Sequence, residues 1–351
     1  MILGKARMSR MIKKLVLILI PLLAFSACRE KPQPRRLYTI GYFQVVESDT
    51  ANEARKGFIK ALEDSRLEPG VSVDLEIRNA LGDIPTVQKI AQEFVEQGVD
   101  MIVAHSTACL QAAMMATQKI PIIFIAVANP YLVNAGRSAE EHVSRITGVA
   151  STGPVRQTMA LIKQILPNAR RIGTLWTPSE LNSEYYLNLA REAAAELGLE
   201  IVAVPVSSTN GVLLAAQILV SKKIDALFPI SDNTINSSFS TLGRVAEENG
   251  IPLFGSFLLA TRAGACAGLG VEFSDMGYQA GQMAARVRKG EDPARIPFVS
   301  LIDFKLHLNL LAARRQGVKF PPEVLKRADE ILTAEDIRSL TGSQARSNDR
   351  P

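Results

Sequence analysis

The chain has 351 residues, enough for two domains with sizeable cores, and a formal net charge of +5. The segment 1–27 carries five basic and no acidic side chains, so the remaining residues have no net charge. The basic isoelectric point therefore gives no argument for binding to nucleic acid. The three cysteines and three histidines lack the spacing of a metal site, so neither a metal nor a cofactor is expected.

The first 28 residues have the order of a secretory signal. Basic residues precede an apolar core over residues 15–24, which is too short to indicate a membrane-spanning helix. The sequence Ser26-Ala27-Cys28 then resembles a bacterial lipobox, in which the cysteine becomes the lipidated first residue, although Phe25 stands where leucine is usual. We expect a lipoprotein with a polar tether over residues 29–36; an ordinary signal with an incidental Cys28 is the alternative.

Strand and helix patterns alternate over the first part of the mature chain. Strands are predicted at 37–43, 71–77, 99–104 and 120–127, and helices at 51–62, at 84–97 and after Thr107. The strand at 71–77 alternates apolar and polar residues, which indicates the edge of a sheet. The β-α-β-α-β-α-β order predicts a parallel sheet with helices on both faces.

The same architecture begins again near residue 151. Helices are predicted at 151–166, 184–197, 212–220, 239–249, 275–289 and 306–316, and strands at 171–176, 199–206, 224–230, 251–255 and 298–304. The sequence therefore predicts an α/β protein of two Rossmann-like lobes with parallel sheets, joined by hinge crossovers. The predicted boundaries are 37–149 plus about 262–291 for lobe 1, 150–261 plus about 295–330 for lobe 2, and 331–351 for a C-terminal tail.

Polar clusters follow several predicted strands, which is where open α/β sheets bind ligands. Ser106 and Thr107 lie between a strand and a helix whose free N–H groups can hold a carboxylate. The alternative is that either residue only caps the helix. Two exported lobes with such clusters predict a hinged clamshell that binds its ligand between the lobes.

Seven short segments occur in a consistent order between about Tyr38 and Pro321. They are 40–47, 79–83, 100–104 with 106–107, 120–124 with 129–130, 166–170, 178–183 and 232–234. In this order they resemble the ABC-transporter substrate-binding lipoproteins of the tryptophan/tyrosine-type group. The resemblance implies a class I periplasmic-binding-protein fold with three strands crossing between the lobes. It also implies capture of a small solute, an aromatic or other amino acid, and its delivery to a membrane permease. We expect the protein to be a monomer.

The resemblance also implies a role for each candidate site residue. Ser106 and Thr107 would hold the ligand's carboxylate, and Asp232 would pair with its amino group. Asn129 stands where the family usually has aspartate, which leaves room for a neutral or more anionic solute. The other implied contacts are Glu180, Asn182 and Ser183 from lobe 2 and Gln44, Glu47 and Asn79 from lobe 1.

Structural alternatives exist for these clusters. Asp232 could be only a helix cap, the segment 180–183 a capping loop, and Glu47 a solvated charge. Trp176 is expected to pack in the core rather than against a ligand, and His105 is not expected to be catalytic. Cys109 and Cys266 are expected as buried thiols, with one disulfide as the alternative.

Enzyme motifs are missing from the sequence. It contains no G-x-S-x-G elbow, no P-loop and no G-x-G-x-x-G after a strand, so we expect no catalytic residues. Two alternatives to solute capture for import stay open. One is an exported sensor module that reports its ligand to a membrane receptor. The other, less favoured, is a flavodoxin-like enzyme, because a fold does not determine a function.

Overall fold

A computed structural model describes residues 36–339. The predicted signal segment with Cys28, the tether up to residue 35 and the tail beyond residue 339 lie outside the described residues. Between residues 36 and 339, no helix is both long enough and apolar enough to cross a membrane. Cys109 and Cys266 are free, buried thiols, as predicted.

Strands and α-helices alternate along most of the range from residue 36 to residue 339. The strands are β1 (Tyr38–Gln44), β2 (Val73–Asn79), β3 (Met101–His105), β4 (Ile122–Val127), β5 (Ile146–Ala150), β6 (Arg171–Trp176), β7 (Glu200–Pro205), β8 (Ala226–Leu227), β9 (Phe254–Gly255), β10 (Ala267–Gly270), β11 (Val299–Ser300), β12 (Lys305–Asn309) and β13 (Glu330–Leu332). The helices are α1 (Asp49–Asp64), α2 (Ile84–Gln97), α3 (Thr107–Ala116), α4 (Val155–Ile165), α5 (Leu181–Glu196), α6 (Val212–Ser221), α7 (Asn233–Asn236), α8 (Phe239–Asn249), α9 (Phe273–Arg288), α10 (Leu310–Arg315) and α11 (Pro322–Arg327).

The first sheet has the order β11-β5-β4-β3-β1-β2, and its strands pair in parallel. Tyr42 packs against Phe58 of α1 on one face, with α9 beside it, whereas Phe43 packs against Phe94 of α2 on the other face, beside α3. β2 is an edge strand, as predicted. Because the strands are parallel, their carboxyl ends lie together, and Gln44 is in register with both Asn79 and His105.

The second sheet consists of β7-β6-β8 and β13-β12-β10-β9, which a parallel bridge from Leu227 to Leu253 connects. Its pairs are parallel except for β10 with β12. Ile172 of β6 packs in a core with α4 and α5, and Leu175 packs in another core with α6 and α8. Trp176 packs at the edge of the first of these cores, as predicted. Helices on both faces of mainly parallel sheets confirm the predicted α/β class.

The end of the chain differs from the sequence-based prediction. The predicted helix over 306–316 begins as β12 and becomes helical only at Leu310. The pairing of β12 with β10 and β13 overrides the local helical pattern, and the Asn309 side chain then caps α10 by accepting from Ala312 N at 2.8 Å. Sequence periodicity also missed β5, β10, β13, α7 and α11.

Sheet pairing differs from the predicted lobe boundaries at three places. β10 belongs to the second sheet, although 262–291 was assigned to lobe 1. β11 pairs with β5 of the first sheet, although 295–330 was assigned to lobe 2. β13 pairs with β12, so the second sheet extends into the predicted tail. Hydrogen bonds between distant strands determine these memberships, and composition along the chain does not report them.

Glycines allow α9 to pack directly on α1. A Cβ added to Gly277 would lie 1.8 Å from the carbonyl oxygen of Ala54, and one added to Gly57 would lie 1.9 Å from that of Ser274. We expect Gly277→Ala to lower the free energy of unfolding by about 1–3 kcal/mol, because two helix backbones must separate. Urea unfolding measures this change. Gly153→Ala is the control, since its Cβ would stay 3.4 Å from Tyr186, and equal losses for both variants would contradict the prediction.

Candidate functional site

A narrow cavity of about 50 Å³, with an opening to solvent, lies between loops that follow strands of the two sheets. Residues at the carboxyl ends of the first-sheet strands line one side, and residues from the start of α5 and from α7 line the other. The polar residues on its wall are Ser48, Thr50, His105, Ser106, Thr107, Ser151, Asn182, Tyr186, Ser231, Asp232, Asn233 and Asn236. A wall so rich in hydroxyl and amide groups suits a polar ligand head rather than a purely apolar molecule.

The first-sheet side of the cavity is formed by the N-terminus of α3. Ser106 occupies the N-cap position of α3, but its side chain makes no capping hydrogen bond. The alternative that the Ser106 hydroxyl only caps the helix is therefore wrong. Ser106 Oγ is buried and has no hydrogen-bond partner within residues 36–339. Thr107 is also buried, and its Oγ1 accepts from Ala128 N at 3.3 Å. The free N–H groups and unpaired hydroxyl form a site for an anionic group.

Backbone strain occurs at this same wall. The backbone φ angle is +94° at Ser106 and +54° at Ala126. Residues other than glycine rarely adopt such positive values. Both residues line the cavity, and the pairing of β4 with β5 shifts register between Ile125 and Val127. Strained backbone of this kind is concentrated at ligand sites, where it fixes the direction of N–H and hydroxyl groups.

Asp232 is a buried carboxylate on the second-sheet side. Its Oδ1 accepts from Ile235 N at 2.7 Å, which caps α7, and its Oδ2 accepts from Ser183 Oγ at 2.7 Å. None of the ion pairs within residues 36–339 includes Asp232. Burial, with the nearby Glu180 carboxylate, raises the pKa of Asp232 well above its ordinary value. A cation placed beside this carboxyl group would favour its ionised form, which burial alone disfavours.

Glu180 lies behind the cavity wall. Its Oε1 accepts from the backbone and hydroxyl of Thr234 at 3.0 and 2.9 Å, and its Oε2 accepts from the backbone and amide of Asn233 at 3.1 and 2.5 Å. The carboxylate is thus fully used in holding the first turn of α7. Ser183 is likewise buried and donates to Asp232. Glu180 and Ser183 therefore hold α7 and Asp232 in place, and neither residue lines the cavity.

Two asparagines present unpaired acceptors. Asn182 lines the cavity, and its Oδ1 is buried with no partner among the described residues, while its Nδ2 donates to Glu180 at 3.3 Å. Asn236 has the same property at Oδ1, while its Nδ2 donates to Ser231 Oγ at 3.0 Å. Sequence reasoning missed Asn236. Asn236 lies four residues after Asp232, and residues four apart share one face of a helix. This spacing could have predicted that Asn236 lies near Asp232.

Hydrogen bonds link the predicted contacts Gln44, Glu47 and Asn79 to one another and to Arg55. Arg55 donates to Gln44 Oε1 and to Glu47 Oε1, both at 3.0 Å, and Asn79 Nδ2 donates to Glu47 Oε2 at 3.0 Å. Burial acts to raise the pKa of Glu47, but the hydrogen bonds and charge of Arg55 outweigh it and lower that pKa. Asn129 Oδ1 caps the turn after it by accepting from Tyr131 N at 3.0 Å.

Of the ten predicted ligand contacts, the cavity wall includes Ser106, Thr107, Asn182 and Asp232. The structure places Gln44, Glu47, Asn79, Asn129, Glu180 and Ser183 outside it. Glu47 lines an adjoining groove with Ser48 and Thr50 instead. His105, for which no ligand role was expected, lies on the wall.

The family model for ABC transporter substrate binding proteins matches residues 39–332. The tyrosine-binding protein of Clostridioides difficile is 35% identical over 280 residues, which cover 80% of this chain and 81% of that protein.

Two solved structures cover 85% of this chain and 100% of their own chains. The ABC domain from Streptococcus pneumonia in complex with L-Trp has a TM-score of 0.80 at 28% identity. The ligand-free, open form of a substrate-binding protein with adhesive properties from Clostridium difficile has a TM-score of 0.62 at 30% identity. These matches, together with solute-binding proteins of lower identity that share the fold, confirm the class I binding-protein fold.

Proposed function

The chain belongs to the family of ABC transporter substrate-binding proteins, and we propose that it captures an aromatic L-amino acid, with L-tyrosine as the first candidate. The main observation is that Asp232 and the N-terminus of α3 line the same cavity. Asp232 is buried and has no cationic partner among the described residues. An α-amino acid supplies the complementary pair of charges. Its carboxylate fits the N–H groups and hydroxyl at α3, and its ammonium fits Asp232 and the Oδ1 atom of Asn182.

The relatives support this class of ligand. One relative is named for tyrosine binding, and a structure of similar fold holds L-Trp. The three hydrogens of an ammonium would satisfy acceptors that now lack partners, and an unsatisfied buried acceptor is costly. Asn129, in place of the family's usual aspartate, lies outside the wall, so its missing charge does not remove the acidic partner that the ammonium needs.

We propose that capture involves closure of two lobes. Lobe 1 would contain the first sheet with α1, α2, α3 and α9, and lobe 2 would contain the second sheet with the other helices. The TM-score is higher against the L-Trp complex than against the open, ligand-free structure, although identity and coverage are similar. A rotation of one lobe relative to the other lowers the TM-score between two structures, even when each lobe keeps its fold. This difference supports the reading that the present arrangement is the closed one.

The family context supports the rest of the proposal. Substrate-binding proteins of ABC transporters act outside the cytoplasm. We propose that this protein is anchored there by lipid on Cys28, that it works as a monomer without catalytic activity, and that its closed form delivers the solute to a membrane permease.

Ligand binding raises thermal stability by a predictable amount, which provides the test. Protein refolded to remove bound solute is heated with aromatic, acidic, basic and small L-amino acids, and with D-tyrosine as a stereochemical control. A ligand at a hundred times its dissociation constant adds about 2.7 kcal/mol to the free energy of unfolding. We expect L-tyrosine or another aromatic L-amino acid to raise the midpoint, and D-tyrosine not to. A panel without any stabilising amino acid would refute the proposal.

A further inference from the structure

His105 ends β3 directly before the α3 N-terminus and lies on the cavity wall. The residue is 4% exposed. Its Nδ1 lies 2.9 Å from the hydroxyl of Tyr42, which is fully buried between the first sheet and α1. One edge of the imidazole ring therefore faces the protein core. Nε2, on the opposite edge, is the polar atom that the ring can present to the cavity.

The buried hydroxyl of Tyr42 determines which ring nitrogen carries hydrogen. Burial raises the pKa of Tyr42 far above its ordinary value, so the phenol keeps its proton. Nδ1 of His105 is the one hydrogen-bond partner of this hydroxyl among the described residues. A buried O–H without an acceptor is costly, so the hydroxyl donates to Nδ1, and the hydrogen of the neutral ring is then on Nε2.

The ring is a neutral donor. Burial, helped by the positive charge of Arg55, lowers the pKa of His105 to about 4, so imidazole rather than imidazolium is present at neutral pH. A neutral N–H next to the free N–H groups of α3 and the unpaired Ser106 hydroxyl adds a further donor without adding a buried charge. A carboxylate has about four lone-pair positions, so it can accept from the ring N–H in addition to donors at the start of α3.

We propose that His105 donates a hydrogen bond from Nε2 to the carboxylate of the bound amino acid, and that Tyr42 is a positioning residue that holds the ring in the required tautomer. This inference rests on the proposed amino-acid ligand and adds a contact that sequence reasoning did not assign. Ser106, Thr107 and His105 then form one continuous carboxylate site at the end of β3.

Substitutions at His105 separate the donor from the shape of the ring. His105→Phe keeps a flat ring but removes the donor, and should weaken L-tyrosine binding about 10- to 100-fold, as expected for a hydrogen bond to a charged group. His105→Gln places an amide N–H near the position of Nε2 and should recover most of that loss. Titration calorimetry measures both variants. Equal affinity of His105→Phe and the wild-type protein would overturn the proposal.

Nitrogen-15 spectra of the wild-type protein test the tautomer without any change at the site. The chain has three histidines, so His142→Gln and His307→Gln suffice to assign the ring signals. We expect hydrogen on Nε2 of His105, and a downfield shift of that proton on saturation with L-tyrosine. Tyr42→Phe should leave a mixture of tautomers. Hydrogen on Nδ1 in the wild-type protein, or an Nε2 proton signal that L-tyrosine does not move, would overturn the proposal.

Different results refute the amino-acid ligand and the role of His105. If calorimetry detects no binding of L-tyrosine or of another aromatic L-amino acid, the proposed function is refuted, and this inference with it. If L-tyrosine binds while the His105 signals stay unchanged, only the role of His105 is refuted.

Discussion

Asp232→Asn is expected to weaken L-tyrosine binding by about 2–5 kcal/mol, because the variant loses the charged partner of a buried ammonium. Asparagine has nearly the same shape and keeps an oxygen that can accept from Ile235 N, so α7 should stay capped. Titration calorimetry on ligand-free protein gives the two dissociation constants.

The same substitution should stabilise the ligand-free protein at neutral pH. Burial raises the pKa of Asp232, so the folded state binds this proton more tightly than the unfolded state does. Its contribution to stability is therefore present below the ordinary pKa of 3.8 and is lost as the pH rises from 3.8 through the raised value. Asparagine does not titrate. Urea unfolding should show the variant gaining on the wild-type protein as the pH rises through this window, with the difference vanishing toward pH 3.8.

A second capping aspartate provides the control for Asp232. Asp83 caps α2 by accepting from Thr86 N at 3.0 Å, and it lies outside the cavity wall. Asp83→Asn should leave the affinity for L-tyrosine unchanged and should give no gain in stability. An unaltered dissociation constant for Asp232→Asn would remove Asp232 from the site, and a loss of stability in that variant at neutral pH would contradict the assignment of its charge as uncompensated.

Glu180→Ala is expected to lower the free energy of unfolding by about 2–4 kcal/mol, the opposite direction from Asp232→Asn. Truncation leaves the two backbone N–H groups and two side-chain donors at the start of α7 without their acceptor. Because α7 follows Asp232 and carries Asn236, its loosening should also weaken L-tyrosine binding. Glu180→Gln keeps one acceptor oxygen and should lose less on both counts. Urea unfolding and calorimetry measure the two effects.

Glu184 offers the matched control for Glu180, since it lies on the same helix, α5, with its side chain exposed. Glu184→Ala should change neither stability nor affinity appreciably, as is usual for surface substitutions. If Glu180→Ala unfolds at the same urea concentration as Glu184→Ala, the carboxylate does not hold α7 in the way that its hydrogen bonds indicate.

Elements with strong local signals could be predicted from the sequence to within a residue. α2 begins after Asp83, whose side chain caps it, and ends at Gly98 with φ +66°. α8 similarly ends at Gly250 with φ +61°. β5 and β12 were missed because their formation depends on partners far away in sequence. A strand pattern of five residues does not outweigh a helical pattern until the neighbouring strand is known.

Site residues could be predicted where their position between a strand and a helix alone indicates ligand binding. Ser106 and Thr107 follow a strand and precede a helix, which fixes their place at a sheet edge. Glu180 also follows a strand, but its carboxylate caps a helix more than fifty residues away, and the sequence does not say which N–H groups a carboxylate faces. His105 was passed over because its role depends on the burial of Tyr42, which is a property of the folded sheet.

The most direct test of the central claim compares L-tyrosine with two analogues by titration calorimetry on solute-free protein. Tyramine lacks the carboxylate, and 3-(4-hydroxyphenyl)propionate lacks the amine. If the cavity binds an amino acid through α3 and Asp232, L-tyrosine should bind with one site per chain, and each analogue should bind at least about 100-fold more weakly. Binding of either analogue as tightly as L-tyrosine would contradict the account.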